Sequence, residues 1–341
     1  MRINSVKPRA GPAWCLHPGL ASSRLPLAAK DSTASMLCSR PQVLTWFDQT
    51  GKAVGTVGEP ADFYRGALSP DGHRFAVTQF DAIAQTRRDL FMIDLDRGVS
   101  TRFTSDPFDE QAPVWTPDNQ TVVFASNRKG PYDLYAKAAG GGPAERVLFE
   151  SAESKAPSGF SSDGKTLLFS MGSTGAGRLW TLPMAGDSKP AQVFPGASDN
   201  EGAGQFSPDG RWFAYVISTS FQAGNVFVQR YPANGIKTQI SPTSGFSPKW
   251  TSDGKRIVCQ TANNVFESVA VSPGAEQMRV ELPKPLFTFR QTNENRISQF
   301  SMDVRGERFL LVVNPNLGAA ATEALIPLTV IVNWAQTLIK K

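Results

Sequence analysis

The chain has 341 residues, of which 40% are hydrophobic, and it carries a formal net charge of +5. That hydrophobic content, with 29 glycines and 25 prolines, is typical of a folded, turn-rich protein and excludes a disordered chain. The lysines and arginines are scattered, which argues against a nucleic-acid-binding protein, and no apolar run is long enough to span a membrane.

Residues 1–42 have several prolines and no repeat, so we expect an irregular N-terminal segment. It has no continuous apolar stretch, so a signal peptide is not predicted. Three widely spaced cysteines and two histidines give no zinc-binding pattern. Residues 43–57 then predict two strands joined by a turn, which resemble the second half of a unit that is repeated further along the chain.

The repeated unit is marked by a turn such as Ser207-Pro208-Asp209-Gly210. The turn recurs about every 45 residues, the length of one propeller blade. Proline fixes φ at the first corner, and glycine accepts a positive φ at the end. We therefore interpret the turn residues as structural. They are Asp71, Gly72, Asp118, Asp163, Gly164, Asp209, Gly210, Asp253 and Gly254.

Each turn is followed by an apolar run and then by a second pattern of a polar, an apolar and an aromatic residue, as in Asp133-Leu134-Tyr135. Four short strands per repeat predict an all-β propeller with four-stranded antiparallel blades. Five whole blades are expected at residues 62–103, 108–149, 154–194, 200–240 and 245–287. A degenerate sixth copy includes Gly306, and residues 327–334 predict one more strand before a tail at 335–341.

The two incomplete ends predict how the ring closes. Exposed sheet edges favour aggregation, so strands at 43–57 are expected to pair with strands at 297–313 and complete a sixth blade. If residues 328–334 instead form a blade with the N-terminal strands, seven blades result. We favour six blades, with the propeller domain spanning 43–334.

These repeats resemble the PD40 type of WD40-like repeat found in the TolB propeller and in prolyl-oligopeptidase-like proteins. Several phrases, among them Leu44-Thr45-Trp46-Phe47-Asp48 and the ending Val330-Ile331-Val332-Asn333-Trp334, are similar to the C-terminal propeller of bacterial membrane-bound serine/threonine kinases of the acidobacterial kind. The resemblance covers residues 43–340. It implies a sensing or scaffolding domain that lies outside the cytoplasm, although the sequence alone leaves the compartment open.

No kinase or hydrolase motif accompanies these repeats. The chain has no glycine-rich phosphate loop, H-R-D or D-F-G motif, and no G-x-S-x-G elbow. The run Gly140-Gly141-Gly142 falls between two predicted strands and is interpreted as a hairpin loop. We therefore expect a protein that is not an enzyme.

The loops that join one blade to the next are rich in carboxylates and should meet at one mouth of the channel. The candidate ligand-binding residues are Asp106, Asp109, Glu110, Glu153, Asp199 and Glu201. An acidic mouth would attract a cation or a basic peptide, and its oxygens would suit Ca²⁺, although no cofactor is required. The competing interpretation is that these side chains only stabilise the turns.

The sequence thus predicts a monomeric propeller that binds a protein or peptide, without nucleic acid and without a membrane segment. The alternative is a propeller enzyme, a lyase or glycoside hydrolase, with an acidic site at the channel mouth.

Overall fold

The structure, a computed structural model, describes residues 42–80, 87–142, 145–173, 176–186, 189–196, 200–220, 223–289 and 300–314. Within these ranges the chain forms strands and turns but no helix. The described residues accordingly contain no helix that could cross a membrane. The irregular segment predicted at the N-terminus, the strand predicted at 327–334 and the tail at 335–341 lie outside the described residues.

The strands are numbered in chain order. The first ten are β1 (Gln42–Asp48), β2 (Ala53–Ala61), β3 (Phe63–Leu68), β4 (Arg74–Phe80), β5 (Arg88–Asp94), β6 (Val99–Arg102), β7 (Glu110–Trp115), β8 (Thr121–Ser126), β9 (Asp133–Ala138) and β10 (Glu145–Phe149). The next eight are β11 (Lys155–Phe160), β12 (Thr166–Ser173), β13 (Ala176–Pro183), β14 (Ala191–Gln192), β15 (Asn200–Phe206), β16 (Trp212–Ser220), β17 (Ala223–Arg230) and β18 (Lys237–Gln239). The last seven are β19 (Phe246–Trp250), β20 (Arg256–Gln260), β21 (Val265–Pro273), β22 (Met278–Val280), β23 (Lys284–Thr288), β24 (Ser301–Met302) and β25 (Arg308–Val313).

These strands form six antiparallel sheets, which are the blades of a propeller. Blade 1 contains β3–β6, blade 2 β7–β10, blade 3 β11–β14, blade 4 β15–β18 and blade 5 β19–β23. Blade 6 has the order β2-β1-β25-β24, so its outer half comes from the N-terminal side and its inner half from the C-terminal side. The predicted fold class, six-blade count and ring closure are confirmed.

Blade 5 departs from the predicted four strands because β21 is nine residues long. Its first half pairs with β23 and its second half pairs with β22, so two strands share the outer edge. The loop before β22 reaches blade 4, where Arg230 and Asn234 donate side-chain hydrogen bonds to the Ala275 and Glu276 carbonyls at 3.1 Å. The additional strand therefore ties two neighbouring blades together.

The described core consists of six apolar clusters, one at each boundary between adjacent blades. Val228 and Trp250 pack between blades 4 and 5, and Phe266 and Phe309 pack between blades 5 and 6. The boundary between blades 6 and 1 has its own cluster, which includes Leu44. Burying one such side chain contributes about 1.5–3 kcal/mol, so the closing boundary is stabilised by the same packing as the others.

The innermost strands are β3, β7, β11, β15, β19 and β24, and in blades 1–5 each contains a bulge. Three bulges hold a residue with positive φ, namely Ala112, Ala203 and Ser247. In β15 the bulge includes Gly204, where a Cβ atom would come within 2.6 Å of the Leu168 Cδ2 atom. Because a bulge bends its strand and interrupts the pairing, main-chain groups next to the ring centre are left outside the ladder.

Candidate binding site in the central channel

The five repeated turn aspartates form the same local hydrogen bonds in every blade. Each Oδ1 atom accepts one bond from a serine or threonine hydroxyl two residues earlier, at 2.5–2.6 Å, and one from the backbone N–H two residues later, at 3.0–3.1 Å. The hydroxyl of Thr116, for example, holds the pKa of Asp118 below its ordinary value. Gly72, Gly164, Gly210 and Gly254 all have positive φ, and Asn119 takes that conformation in blade 2.

These turns also touch one another from blade to blade. The Cβ position of Gly164 lies 3.6 Å from the Pro117 ring, and that of Gly254 lies 3.7 Å from the Pro208 ring. The amide of Asp71 donates to the side-chain oxygen of Asn119 at 3.1 Å. The described turn carboxylates are thus used in shaping the hairpins.

The acidic residues between blades 1 and 2 lie together but are engaged by cations of the same region. Asp106 forms an ion pair with Arg128 at 2.7 Å. Asp109 accepts hydrogen bonds from the Arg88 amide at 2.8 Å and from the Tyr132 hydroxyl at 3.1 Å.

Glu110 belongs to the same group and is fully buried at the start of β7. One of its oxygens lies 3.1 Å from Arg128, which also binds Glu145 at 2.8 Å. Burial raises the pKa of Glu110 to about 7, although the hydroxyl of Thr104 and the charge of Arg128 act in the opposite direction. A carboxyl group in this position stabilises the boundary between two blades and is screened from a ligand in solution.

The remaining predicted mouth residues are dispersed. Glu201 is buried at the start of β15, where its carboxylate accepts the Leu179 N–H of the preceding blade at 3.4 Å. Glu153 is exposed. Asp199 lies outside the described residues. Ligand binding by these six residues stays a prediction.

One buried ion pair was not predicted from the sequence. Lys155 at the start of β11 donates to Asp133 at the start of β9 in the preceding blade, and its side chain is fully buried. Lys155 occupies the same strand position as Glu110 and Glu201, since all three begin or nearly begin the inner strand of their blade. That position reaches back to the third strand of the preceding blade, which explains why it is polar.

A cavity of about 510 Å³ lies at the centre of the ring and is lined by residues of all six inner strands. Each inner strand is the terminal strand of its sheet, so one of its edges has no partner strand. The described lining residues include no aspartate, glutamate, histidine or cysteine. The wall of this channel is mostly small side chains, prolines and main-chain groups.

Two cations are the only charged side chains among the described lining residues, Arg65 on β3 and Lys249 on β19. The Arg65 guanidinium carbon lies 5.3 Å from the centre of the Tyr64 ring. The Lys249 side chain is partly buried, and this burial lowers the pKa of its ammonium group. Neither residue makes an ion pair in the part of the chain that the structure describes. The sequence prediction of an acidic mouth did not identify them.

A metal site finds no support in the described ranges, where no group of three or more His, Cys, Asp or Glu side chains could hold an ion.

Comparisons with known proteins agree with the propeller architecture. The profile of the family described as TolB beta propeller domain, PD40, matches residues 49–189. A structure described as a TolB from Agrobacterium tumefaciens superimposes with a TM-score of 0.59 at 13% identity, covering 80% of this chain and 98% of that one. TolB from Acinetobacter baumannii gives 0.54 at 18% identity, covering 80% of this chain and 64% of that one.

Two further likenesses include proteins named as enzymes. An oligogalacturonate lyase in complex with manganese has a TM-score of 0.51 at 14% identity, covering 78% of this chain and 76% of that one. Tricorn protease homolog 1 from Streptomyces coelicolor is 27% identical over 143 residues, which is 42% of this chain and 13% of that protein. The chain thus spans a small part of that curated relative. At these identities the structural likenesses show a shared TolB-like propeller fold.

Proposed function

We propose that this chain is a non-catalytic binding module that takes an extended peptide segment of a protein partner into its central channel. The observation that carries the proposal is the cavity of about 510 Å³ surrounded by six unpaired strand edges. Its volume lies within the range of about 300–1,000 Å³ that is usual for ligand sites.

The wall of the channel supports a peptide as the ligand. An unpaired strand edge presents N–H and C=O groups that an extended peptide can pair with, as in binding by strand addition. Pro113, Pro157 and Pro248 lie in this wall and lack an N–H donor. The prolines limit continuous pairing, so short contacts from several blades are favoured over one long added strand.

The lining residues also argue against catalysis. A nucleophile needs an adjacent base, and a glycoside hydrolase needs two carboxylates, none of which lines the described part of the channel. The hydroxyl of Ser158 is engaged with the Leu168 carbonyl at 3.1 Å. A binding role requires only the shape and the polar groups that are present.

The alternative function is a lyase, and one observation favours it. A lysine whose pKa is lowered by burial, as at Lys249, can act as a general base. The likeness to an oligogalacturonate lyase is one of fold, so it supports the architecture and leaves the reaction to be tested.

We also propose that this propeller is the sensing or scaffolding part of a larger receptor, as the resemblance to receptor-kinase propellers implies. An immunoblot of source cells with an antibody against residues 327–341 tests this. A membrane-bound band well above 36.9 kDa is expected, whereas a soluble band near 36.9 kDa would contradict it.

Selection of random displayed peptides against the purified chain tests the binding function. We expect peptides that protect the amides of β7, β11, β15 and β19 from hydrogen exchange, because these strands line the channel. Failure to select any peptide, or protection confined to the outer strands β6 and β10, would contradict the proposal. Release of unsaturated products from oligogalacturonate would favour the lyase.

A further inference from the structure

The two channel cations lie on the same side of the ring. Arg65 belongs to the inner strand of blade 1 and Lys249 to the inner strand of blade 5, and blades 1 and 5 both adjoin blade 6. The part of the wall formed by blades 2, 3 and 4 is uncharged in the described residues and includes Pro113, Ser158 and Gly204. The channel therefore has a positive side and a neutral side.

The other sheltered cations of this chain show that such a lack of partners is unusual here. Lys155 is paired with Asp133, and Lys137 lies 3.1 Å from Glu145. Arg128 has three carboxylates within 3.1 Å. Removing a charge from water without a partner is costly, and this fold supplies partners at the blade boundaries. It supplies none to Arg65 and Lys249 among the described residues.

We infer that the channel selects an acidic peptide segment and that Arg65 and Lys249 bind its carboxylates. This inference rests on the proposed function, because it names the charge of the segment that the channel takes. A guanidinium and an ammonium group form short, charge-assisted hydrogen bonds with carboxylates, and the ligand would supply the missing negative charge. The neutral side of the wall would contact the peptide main chain.

The main-chain edges favour a peptide over an acidic polysaccharide. Successive residues of an extended peptide rise by about 3.3 Å, which matches the spacing of N–H and C=O groups along a strand. A polyuronate carries carboxylates but has no amide repeat to pair with these edges. Both ligands share the carboxylate chemistry, so the test has to include both.

Fluorescence anisotropy with three labelled peptides of equal length tests the inference. The peptides alternate glycine with glutamate, glutamine or lysine. We expect the glutamate peptide to bind at least about tenfold more tightly than the glutamine peptide, with an affinity that falls as salt increases. The lysine peptide should not bind measurably. Unlabelled oligogalacturonate is added as a competitor in a separate series.

Substitutions then assign the binding to the two residues. Lys249→Met and Arg65→Gln should each weaken the glutamate peptide by about tenfold, while Lys249→Arg should retain most of the affinity. Lys165→Met is the matched control, since it removes one positive charge from an exposed side chain outside the channel. Thermal melting of each variant confirms that it is folded.

The outcomes separate the two proposals. Equal binding of the glutamate and glutamine peptides would overturn the charge assignment while leaving peptide binding intact. Unchanged affinity in folded Lys249→Met and Arg65→Gln would also overturn it. If oligogalacturonate binds and no peptide does, both the acidic-peptide inference and the proposed binding function are wrong.

Discussion

The loop region between blades 1 and 2 and the interior of the channel treat charge in opposite ways. In the loops, Asp106, Asp109 and Glu110 lie beside Arg88 and Arg128, so carboxylates and cations satisfy each other. In the channel, Arg65 and Lys249 have no carboxylate beside them in the described residues. A residue's charge is therefore a weaker guide to binding than whether the fold already provides its partner.

The largest effect is expected where the loops bury a pair. Asp133→Ala leaves the buried Lys155 ammonium group without its carboxylate, so we expect a loss of about 3–5 kcal/mol in the free energy of unfolding. Urea denaturation followed by tryptophan fluorescence measures it. The double variant Asp133→Leu with Lys155→Met should recover much of the loss, and a cost under about 1 kcal/mol for the single variant would show that the pair is unimportant.

A smaller, pH-dependent effect is expected at Glu110. Burial raises the pKa of this group in the folded state from 4.5 to about 7, so the folded chain holds the proton more tightly than the unfolded chain. Its stabilising contribution is complete below about pH 4.5 and is lost as the pH rises through about 7. Glu110→Gln should therefore gain about 1–2 kcal/mol relative to the unsubstituted chain between about pH 5 and about pH 8.

Denaturation curves at the two pH values check the Glu110 prediction. Glu153→Gln is the control, because Glu153 is exposed and should show no such gain. A pH-independent difference for Glu110→Gln would contradict the assignment.

The repeated turns should respond to a lesser extent. Asp253→Ala removes the acceptor for the Thr251 hydroxyl and the Lys255 amide, and we expect a loss of about 1 kcal/mol in unfolding free energy. Asp253→Asn retains an acceptor oxygen and should lose less. Equal stability of the alanine variant and the unsubstituted chain would argue against a structural role for the turn aspartates.

The channel should show a small effect of opposite sign. Lys249→Met removes an ammonium group whose burial is uncompensated, so unfolding free energy should rise by about 1 kcal/mol near neutral pH. Because burial lowers the folded pKa below 10.5, this gain should shrink as the pH rises toward that value. Lys165→Met should change stability by less than about 0.5 kcal/mol. A destabilised Lys249→Met would show that the lysine supports the fold.

The architecture was predictable from the sequence because the same turn chemistry recurs in each unit. Proline, aspartate and glycine at fixed offsets determine the hairpin, and the period then determines the blade. The fifth strand of blade 5 was not predictable, since β21 continues without a turn residue and its pairing depends on contacts with blade 4.

The candidate site was less predictable. The sequence placed Glu110 in a loop region, but it could not show that Arg128 folds back onto it across a blade boundary. Lys249 and Arg65 precede the turn residues Asp253 and Asp71 by a few positions, so the repeat already assigned them to inner strands. What was missing was the absence of a neighbouring carboxylate, which is a property of the assembled ring.

The titration of Lys249 tests the central claim most directly. Competitive labelling of lysine amines over a range of pH, read out by mass spectrometry, gives the pKa of this side chain with and without the alternating glycine–glutamate peptide. We predict a pKa below 10.5 in the free protein and a rise when the peptide binds, because the peptide carboxylates stabilise the charged form. An ordinary pKa that the peptide leaves unchanged would contradict the account of an unpaired cation awaiting an acidic ligand.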